Sequence, residues 1–500
     1  MHVARGHRLR DRDFPPPDGL RRVNTLIIGG GISGLAAAWQ LSRAGQSDFL
    51  VLEMDDTPGG NSRAGQSSVS AYPWGAHYLP LPGPEAELVR SLLAELGVLQ
   101  GDSGSERPLY DEQYLCAAPQ ERLFRHGLWE EGLLAQRGID REERDEQQRF
   151  QAQMAAFKRL RGGDGRRVFA IPMALASRDP VYLALDRLSF KQWLLAENYR
   201  SPTVHWLANY ACRDDYGTHY AQTSAWAGLH YFACRNGMAA NAAPDCVLTR
   251  PDGNAWLMRG LLRHAEGRIE TGAMAVRLEV GKHDVAVDVL QQGRVTRYYC
   301  RRLIWAAPLF VLPRVWVNPP EFVQALSSSM SYAPWLVANL HLERPPEEKH
   351  GEAPAWDNVL YDSPALGYVI ATHQHIRRHL RGASVWTYYR ALEHQAPAEA
   401  RQHLLASSRE FWVEQILADL EKAHPDIRGV TTRLDVFRNG HAMARPTVGA
   451  LFSEQRQRIQ SFSHPRIALA HADLSGFSLF EEAQYRGVLA ARQLMGAKLA

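Results

Sequence analysis

The 500-residue chain is poor in cysteine and lysine and has no long apolar run. Its five cysteines form no C-x-x-C pair, so we expect buried free thiols in a reducing compartment, the cytoplasm. No run of about 18 apolar residues occurs, so no transmembrane helix is expected. A net charge of only +3 argues against nucleic acid as the main partner. No His/Asp cluster has metal-ligand spacing, so we expect no metal.

The most informative feature is an apolar strand that ends in three glycines and continues into an alanine-rich helix. Gly29, Gly31 and Gly34 have the G-x-G-x-x-G spacing, and a second apolar strand, 49–52, ends in Glu53. In such a unit the glycines let a pyrophosphate approach the backbone, and the acid accepts hydrogen bonds from an adenosine ribose. The helix N-terminus favours the negative phosphates. The pattern predicts a dinucleotide site; the alternative is a strand–turn–helix unit without a ligand.

Similar elements recur in the middle and at the end of the chain. Alternating strands are predicted over 268–305, and a buried strand at 467–470 leads into a helix over about 480–495. This order predicts an α/β fold in which a second domain is inserted twice into a discontinuous nucleotide-binding domain. Closely spaced aromatic residues between 206 and 232 are interpreted as helix core, with a substrate cage as the alternative. The polar stretch 212–216 is interpreted as a helix cap or buried ion pair, with substrate recognition as the alternative.

The glycine run through Glu53, the turn 58–60, the segment 75–77 and the segment 470–483 resemble the flavin-containing amine oxidase and phytoene desaturase superfamily. The resemblance implies a discontinuous Rossmann-type FAD-binding domain beside a mixed α+β substrate domain. The expected segments are an irregular N-terminal arm (1–22), the FAD-binding domain (23–104, 245–310 and 436–500) and the substrate domain (105–244 and 311–435).

The same resemblance implies FAD as the cofactor and assigns residues to it. Glu53 would bind the adenosine ribose, and Asp473 would bind the ribityl chain. Asn61 stands where the family usually has a phosphate-pairing arginine, for which Arg63 is a substitute. No cysteine lies in the C-terminal segment, so we expect non-covalent binding. The expected cofactor-binding residues are Gly29, Gly31, Ile32, Ser33, Gly34, Glu53, Met54, Gly60, Asn61, Ser62, Trp74, Gly75, Ala76, His77, Ala275, Ala307, Asp473, Glu482 and Ala483.

Three residues are candidates for the chemistry. His77 follows the loop that faces the isoalloxazine ring in relatives, so it is a candidate ring contact or base, or else a structural histidine. His441 is a candidate pocket residue, with a loop-bracing role as the alternative. Phe477 lies near the position of a cage aromatic in amine oxidases. Tyr388 and Tyr389 are adjacent in a predicted strand, so at most one of them faces a pocket.

Three functions follow from the resemblance. The first is hydride transfer to flavin N5 from a carbon next to an amine nitrogen, with an unidentified electron acceptor. The second is a desaturase or isomerase acting on an apolar C–C bond, and the third is a flavin-binding partner subunit with little turnover. Amine oxidases of the superfamily often carry a lysine on a central strand that corresponds here to 335–340, which contains none. This departure weakens the expectation of an efficient reaction with oxygen and makes the second function more credible, although amine oxidation with another electron acceptor remains the first expectation.

Overall fold

The computed structural model describes residues 3–11, 13–375 and 382–496. The chain forms two compact units. Unit 1 consists of Met1–Arg63, Ala255–Ser331 and Phe452–Ala500, and unit 2 consists of Ala64–Asn254 and Tyr332–Leu451. Within the described residues, no helix has both the length and the apolar character that crossing a membrane requires.

The strands and helices follow in chain order. The strands are β1 (Gly19–Ile28), β2 (Phe49–Leu52), β3 (Ala64–Gln66), β4 (Ala71–Pro73), β5 (Leu79–Pro80), β6 (Leu99–Gln100), β7 (Leu109–Tyr110), β8 (Glu121–Arg125), β9 (Leu128–Glu131), β10 (Val247–Leu248), β11 (Ile269–Glu270), β12 (Met274–Val280), β13 (Val285–Gln291), β14 (Arg294–Trp305), β15 (Tyr332–Leu342), β16 (Asp357–Leu360), β17 (Gly367–Ile370), β18 (Ser384–Ala391), β19 (Thr431–Ala444) and β20 (Ile467–Leu469). The helices are α1 (Val3–Asp11), α2 (Ile32–Arg43), α3 (Glu87–Glu95), α4 (Arg141–Phe157), α5 (Pro180–Leu183), α6 (Phe190–Ala196), α7 (Pro202–Tyr216), α8 (Ala225–Ala233), α9 (Ala255–Leu262), α10 (Leu312–Val315), α11 (Glu321–Gln324), α12 (Leu326–Ser329), α13 (Pro397–Ala406), α14 (Arg409–Leu420), α15 (Ile427–Val430), α16 (Glu454–Gln460) and α17 (Phe480–Met495).

Unit 1 is built on a seven-stranded sheet with the order β11-β2-β1-β14-β13-β12, in which β20 also pairs with β14. The pairs of β1 with β2 and β14, of β2 with β11, and of β14 with β20 are parallel. Helix α2 connects β1 to β2, as a Rossmann-type unit requires. It packs closely on α17, because Gly487 brings the backbone of α17 against the carbonyl of Ser33. The α/β fold class predicted from the sequence is confirmed.

The N-terminal segment differs from the irregular arm expected over 1–22. Helix α1 covers Val3–Asp11, and β1 begins at Gly19, where it pairs with Thr296 of the long strand β14. Leu9 is buried in the core of unit 1, and this apolar anchor explains why an arginine-rich segment forms a packed helix. Residues 1, 2 and 12 of the expected arm lie outside the described residues. Segment 64–104, assigned from the resemblance to the FAD-binding domain, belongs to unit 2.

Unit 2 is built on a second seven-stranded sheet, with the order β19-β15-β18-β17-β16-β8-β9. Every residue of β15 is buried, as expected for a strand covered on both faces. One face packs against a cluster that contains Trp412 and Ile416 of α14. The opposite face packs against Tyr210 and Trp206 of α7. Helix α13 ends at Ala406, and Ser408 caps the start of α14 by accepting a hydrogen bond from the Phe411 N–H.

Candidate functional site

The glycine loop of unit 1 has the geometry that a diphosphate requires. An added Cβ at Gly31 would meet no heavy atom within 4 Å, so open space lies beside this residue. Gly31 is also the N-cap of α2 and provides no side-chain hydrogen bond to the first turn. The backbone N–H groups at this end of the helix are therefore suited to an anion. Gly29 has a φ of +108°, and a Cβ there would lie 2.9 Å from the backbone of Ala306.

Glu53 directly follows the last residue of β2 and lies beside this loop. Its Oε2 accepts a hydrogen bond from the Gly30 N–H at 2.8 Å, and its Oε1 accepts one from the Asp55 N–H at 2.7 Å. Burial raises the pKa of Glu53, while these two N–H groups oppose the rise. A carboxylate has about four lone-pair sites, so two remain for the hydroxyls of a ribose. The position predicted for Glu53 from the sequence therefore fits an adenosine ribose.

The second glycine turn of unit 1 lies against the first. The Gly59 N–H donates to the carbonyl of Gly30 at 2.8 Å, and a Cβ at Gly60 would lie 3.5 Å from the Cα of Gly31. Asn61 and Ser62 follow in the same short turn, and Ser62 is buried. Arg63, the expected substitute for a phosphate-pairing arginine, instead forms an ion pair with Asp55 at 2.9 Å. Its Nε also donates to the carbonyl of Gly60 at 3.0 Å, so its guanidinium is already bound by the protein.

Most of the remaining residues expected at the cofactor belong to unit 1. Oδ2 of Asp473 accepts a hydrogen bond from the Leu309 N–H at 2.9 Å, which ties the end of the chain to the loop that follows Ala307. Helix α17 begins at Phe480, so Glu482 and Ala483 lie in its first turn. The other expected positions in unit 1 are Ile32 and Ser33 in the first turn of α2, Met54 directly after Glu53, and Ala275 in β12.

Residues Trp74, Gly75, Ala76 and His77 belong to unit 2 and form a loop between β4 and β5. The Tyr389 hydroxyl donates to the carbonyl of Gly75 at 2.9 Å, and the Thr249 hydroxyl donates to that of His77 at 2.8 Å. The imidazole of His77 stacks on the ring of Tyr389 with centroids 4.4 Å apart. Burial lowers the pKa of His77 to about 4, so the ring is neutral at physiological pH and a weak base.

The other candidates for the chemistry lie in different segments of the chain. His441 lies in β19, and its ring contacts Tyr332 at 5.8 Å. Phe477 is fully buried in unit 1. Tyr388 and Tyr389 point to opposite faces of the unit 2 sheet: the Tyr388 hydroxyl donates to Asp419, whereas Tyr389 faces the loop with His77. The prediction that at most one of these two tyrosines faces a pocket agrees with this alternation.

A group of buried carboxylates in unit 2 was not found from the sequence as a group. We call Glu121, Asp214 and Asp357 the acidic group. Oδ2 of Asp214 accepts hydrogen bonds from the hydroxyls of Tyr78 at 3.1 Å and Tyr231 at 3.4 Å. Burial is the largest cause that raises the pKa of all three carboxyls, and it takes that of Glu121 to about 7. All three side chains are only half-buried, so part of their surface stays accessible.

Aromatic rings surround this acidic group. The rings of His77 and Tyr78 lie 5.5 Å and 6.0 Å from that of Trp356. Arg235 lies over the ring of Tyr231 at 4.0 Å and forms an ion pair with Asp215 at 2.8 Å. The polar stretch 212–216 therefore contains two different sets of contacts. Asp214 and Asp215 contact Tyr78 and Arg235, whereas Arg213 forms a buried ion pair with Glu393. The one signal in the sequence was the polarity of this stretch within an aromatic block.

Comparison with solved structures identifies relatives that share the fold. A putrescine oxidase bound to putrescine has a TM-score of 0.69 at 16% identity, over 95% of this chain and 100% of that one. Cyclohexylamine oxidase from Brevibacterium oxydans has a TM-score of 0.66 at 16% identity, over 95% and 99% of the two chains. A CLA-producing fatty acid isomerase from P. acnes has a TM-score of 0.63 at 15% identity, over 94% and 98%. No curated protein sequence matches this chain.

The family assignment comes from the sequence itself. The model of the family of flavin-containing amine oxidoreductases matches residues 32–495, which is nearly the whole chain. The open space beside Gly31, the N-terminus of α2 and the position of Glu53 fit the adenosine diphosphate part of a flavin dinucleotide. The chain therefore belongs to the flavin-containing amine oxidoreductase family and is an FAD-dependent oxidoreductase.

Proposed function

We propose that this enzyme oxidises the carbon next to the nitrogen of an amine. The observation that carries the proposal is the acidic group of unit 2, where Asp214 accepts hydrogen bonds from Tyr78 and Tyr231 among aromatic rings. A protonated amine is attracted to carboxylates by their negative charge and to the faces of aromatic rings by cation–π interaction. An apolar substrate would offer no positive charge to this group. The similarity to two amine oxidases is consistent with this substrate class.

We propose that the residues expected at the cofactor hold FAD without a covalent bond, since the five cysteines lie at or before position 300. When bound, FAD accepts a hydride from the carbon beside the nitrogen, and water hydrolyses the resulting imine to a carbonyl compound and a free amine. The candidates for the electron acceptor are dioxygen, a quinone and a protein. The protein provides position and a dry site: His77, being neutral, adds no positive charge near a reacting amine. His441 and Phe477 are retained as proposed contributors to the site.

The cysteines are free within the described residues, and we propose that the protein works in a reducing compartment, the cytoplasm.

A second candidate is a desaturase or isomerase that acts on an apolar C–C bond. The observation in its favour is that β15 carries no lysine; its buried polar residue Asn339 instead donates to the carbonyl of Pro73 at 3.2 Å and accepts from Thr387 at 2.7 Å. The similarity to a fatty acid isomerase is consistent with this candidate. The acidic group argues against it, because a hydrocarbon chain cannot compensate buried carboxylates.

Anaerobic mixing distinguishes the two candidates. The purified protein should be yellow, and denaturation should release its flavin into solution if the binding is non-covalent. Under the first proposal, members of a panel of primary and secondary amines bleach the flavin absorbance, whereas polyunsaturated fatty acids and carotenoids cause no change. Bleaching or product formation with the lipids alone would favour the second candidate. Subsequent mixing with oxygen or a quinone identifies the electron acceptor by the rate at which the flavin absorbance returns.

A further inference from the structure

Helix α1 lies against the loop that follows Glu53. Nη1 of Arg5 donates hydrogen bonds to the carbonyl of Met54 at 3.0 Å and to Oδ1 of Asp56 at 2.8 Å. A Cβ built on Gly6 would lie 3.9 Å from Sδ of Met54, so the thioether lies beside the helix. The first half of α1 is therefore attached to the loop that begins directly after Glu53.

This loop is in turn joined to the segment that leads into β12. The Gly272 N–H donates to the carbonyl of Asp55 at 3.0 Å, and the Ala273 N–H donates to that of Glu53 at 2.8 Å. A Cβ built on Gly272 would lie 3.9 Å from Nη1 of Arg5. The guanidinium of Arg5 therefore lies where the two segments meet.

Leu9 attaches the second half of α1 to unit 1. Its side chain is buried and belongs to the hydrophobic cluster that contains Met274 and Ala275 of β12. Met54 packs against the same cluster. A helix of nine residues is marginal on its own, so α1 depends on its contacts with the rest of unit 1, which Leu9 and Arg5 provide.

The contacts of Arg5 restrict a loop rather than stabilise the whole fold. The side chains of Arg5 and Asp56 are 37% and 59% exposed, and ion pairs this exposed contribute little to stability because water screens them. The same guanidinium nevertheless fixes the carbonyl of Met54 to a helix. Oε1 of Glu53 accepts a hydrogen bond from the Asp55 N–H of this loop at 2.7 Å, so the position of the loop sets the position of the carboxylate.

The two segments that α1 borders both contain residues expected at the cofactor, namely Glu53 and Met54 in one and Ala275 in the other. We propose that α1 stabilises the adenosine end of the FAD site, with Arg5 as a positioning residue that acts on Glu53 through the loop that follows it. Because the flavin is expected to be held without a covalent bond, its retention depends on contacts of this kind. The inference rests on the assignment of Glu53 to the ribose and does not depend on the identity of the amine.

Release of FAD from the purified holoenzyme is the first measurement. After dilution, the flavin that appears in an ultrafiltrate is followed over time. Arg5→Ala should release FAD roughly fivefold faster than the wild type or more, because it removes both charged hydrogen bonds to the loop. Arg10→Ala, at an exposed position of the same helix, is the matched control and should release FAD at the wild-type rate.

A titration of the flavin-free full-length protein locates the effect within the cofactor. ADP carries the adenosine and the diphosphate of FAD without the flavin, so Arg5→Ala should raise the Kd of ADP and that of FAD by the same factor. Isothermal titration calorimetry measures both values without turnover. The melting temperature of the flavin-free variant should stay within about 2 °C of the wild type, since the ion pair that it loses is exposed.

A double-variant cycle tests whether Arg5 acts through Glu53. In a Glu53→Ala background, Arg5→Ala should raise the Kd of FAD by less than about twofold, because the group that it positions has been removed. Fully additive effects of the two substitutions would overturn the positioning role.

The remaining outcomes are equally decisive. Unchanged FAD release and an unchanged Kd of ADP in Arg5→Ala would overturn the proposal, as would a loss of FAD affinity that leaves ADP binding intact. A large fall in the melting temperature of the flavin-free variant would assign the effect to folding instead. If Glu53→Ala itself binds FAD normally, the ribose assignment fails and this inference fails with it. Reduction of the flavin by amines is a separate measurement, so its failure would leave these results standing.

Discussion

Gly34 lies so close to Gly29 that an added methyl group would overlap the carbonyl oxygen of Gly29. This contact is formed where α2 leaves the glycine loop, so it sets how closely helix and strand pack. We expect Gly34→Ala to lower the melting temperature of unit 1 by several degrees, since backbone atoms must move to accommodate the methyl group. Differential scanning calorimetry of the flavin-free protein measures the effect without any contribution from cofactor binding.

Gly31→Ala is the matched variant in the same loop, and we expect it to leave stability unchanged but to impair flavin binding. No heavy atom lies within 4 Å of an added Cβ, and the φ of −75° is accessible to alanine. The flavin-free variant should therefore unfold within about 2 °C of the wild type, whereas its flavin content after purification should fall at least fivefold. Full flavin retention in this variant would mean that the open space beside Gly31 does not receive the pyrophosphate.

Glu53 provides a test of the ribose end of the site. Glu53→Ala removes the acceptor for the Gly30 and Asp55 N–H groups and for the expected ribose hydroxyls. Hydrogen bonds to a charged group contribute roughly 1.5–3 kcal/mol each, so the Kd of FAD should rise at least tenfold. Glu266→Ala, an exposed acid of the same unit, is the control. Equilibrium dialysis of the refilled protein measures the Kd, and an unchanged value would remove Glu53 from the site.

The nucleotide-binding unit could be predicted from the sequence because its signals are local. The glycine spacing, the acid at the end of β2 and the helix over Phe480–Met495 all lie within short stretches of chain. Local patterns also predicted α2, which begins at Ile32 and is followed by Gly45 in the left-handed region. Helix α1 was missed because a charged segment becomes helical here only through the tertiary burial of Leu9.

The acidic group of unit 2 could not be predicted because it is a product of sheet register. Glu121 and Asp357 become neighbours only when β8 inserts beside β16, although a long stretch of chain separates them in sequence. The sequence of each strand does not indicate that its acid is shielded from solvent, since an isolated acid in a short strand is usually exposed. The same reasoning applies to Arg63: its sequence position suggested a phosphate partner, but the fold gives it Asp55 instead.

The ion pair between Arg213 and Glu393 should be important for the stability of unit 2. Nε of Arg213 lies 2.9 Å from Oε1 of Glu393, and both side chains are buried. Arg213→Met leaves the buried Glu393 carboxylate beside the exposed His394, whose Nε2 lies 3.3 Å from Oε1, and without the permanent charge of the guanidinium. The free energy of unfolding should therefore fall by about 3–5 kcal/mol. The double variant Arg213→Met/Glu393→Leu should recover most of this loss in urea denaturation. If the double variant is as unstable as the single one, packing rather than charge explains the effect.

Glu121 links the proposed substrate site to the pH dependence of stability. Its pKa in the folded protein is about 7, above the ordinary value of 4.5 that applies when the chain is unfolded. Between these two values the folded protein holds a proton that the unfolded chain has lost, so Glu121 costs stability progressively as the pH rises through this window. Asp245 and Asp214 raise the pKa of Glu121 by repulsion, and Arg235 lowers it. Glu121 in turn raises the pKa of Asp357, so its replacement relieves that carboxyl as well and acts in the same direction.

Glu121→Gln should therefore stabilise the protein at high pH and not at low pH. At pH 8 the free energy of unfolding should exceed that of the wild type by on the order of 1–3 kcal/mol, and at pH 4.5 the two proteins should agree. Urea denaturation of the flavin-free proteins at both pH values measures the difference, with Glu142→Gln, at an exposed position in α4, as the control. An equal change at the two pH values would assign the effect to packing. A variant that gains stability at pH 8 while amines reduce its flavin less readily would show that the charge of Glu121 is retained for substrate binding, at the expense of the fold.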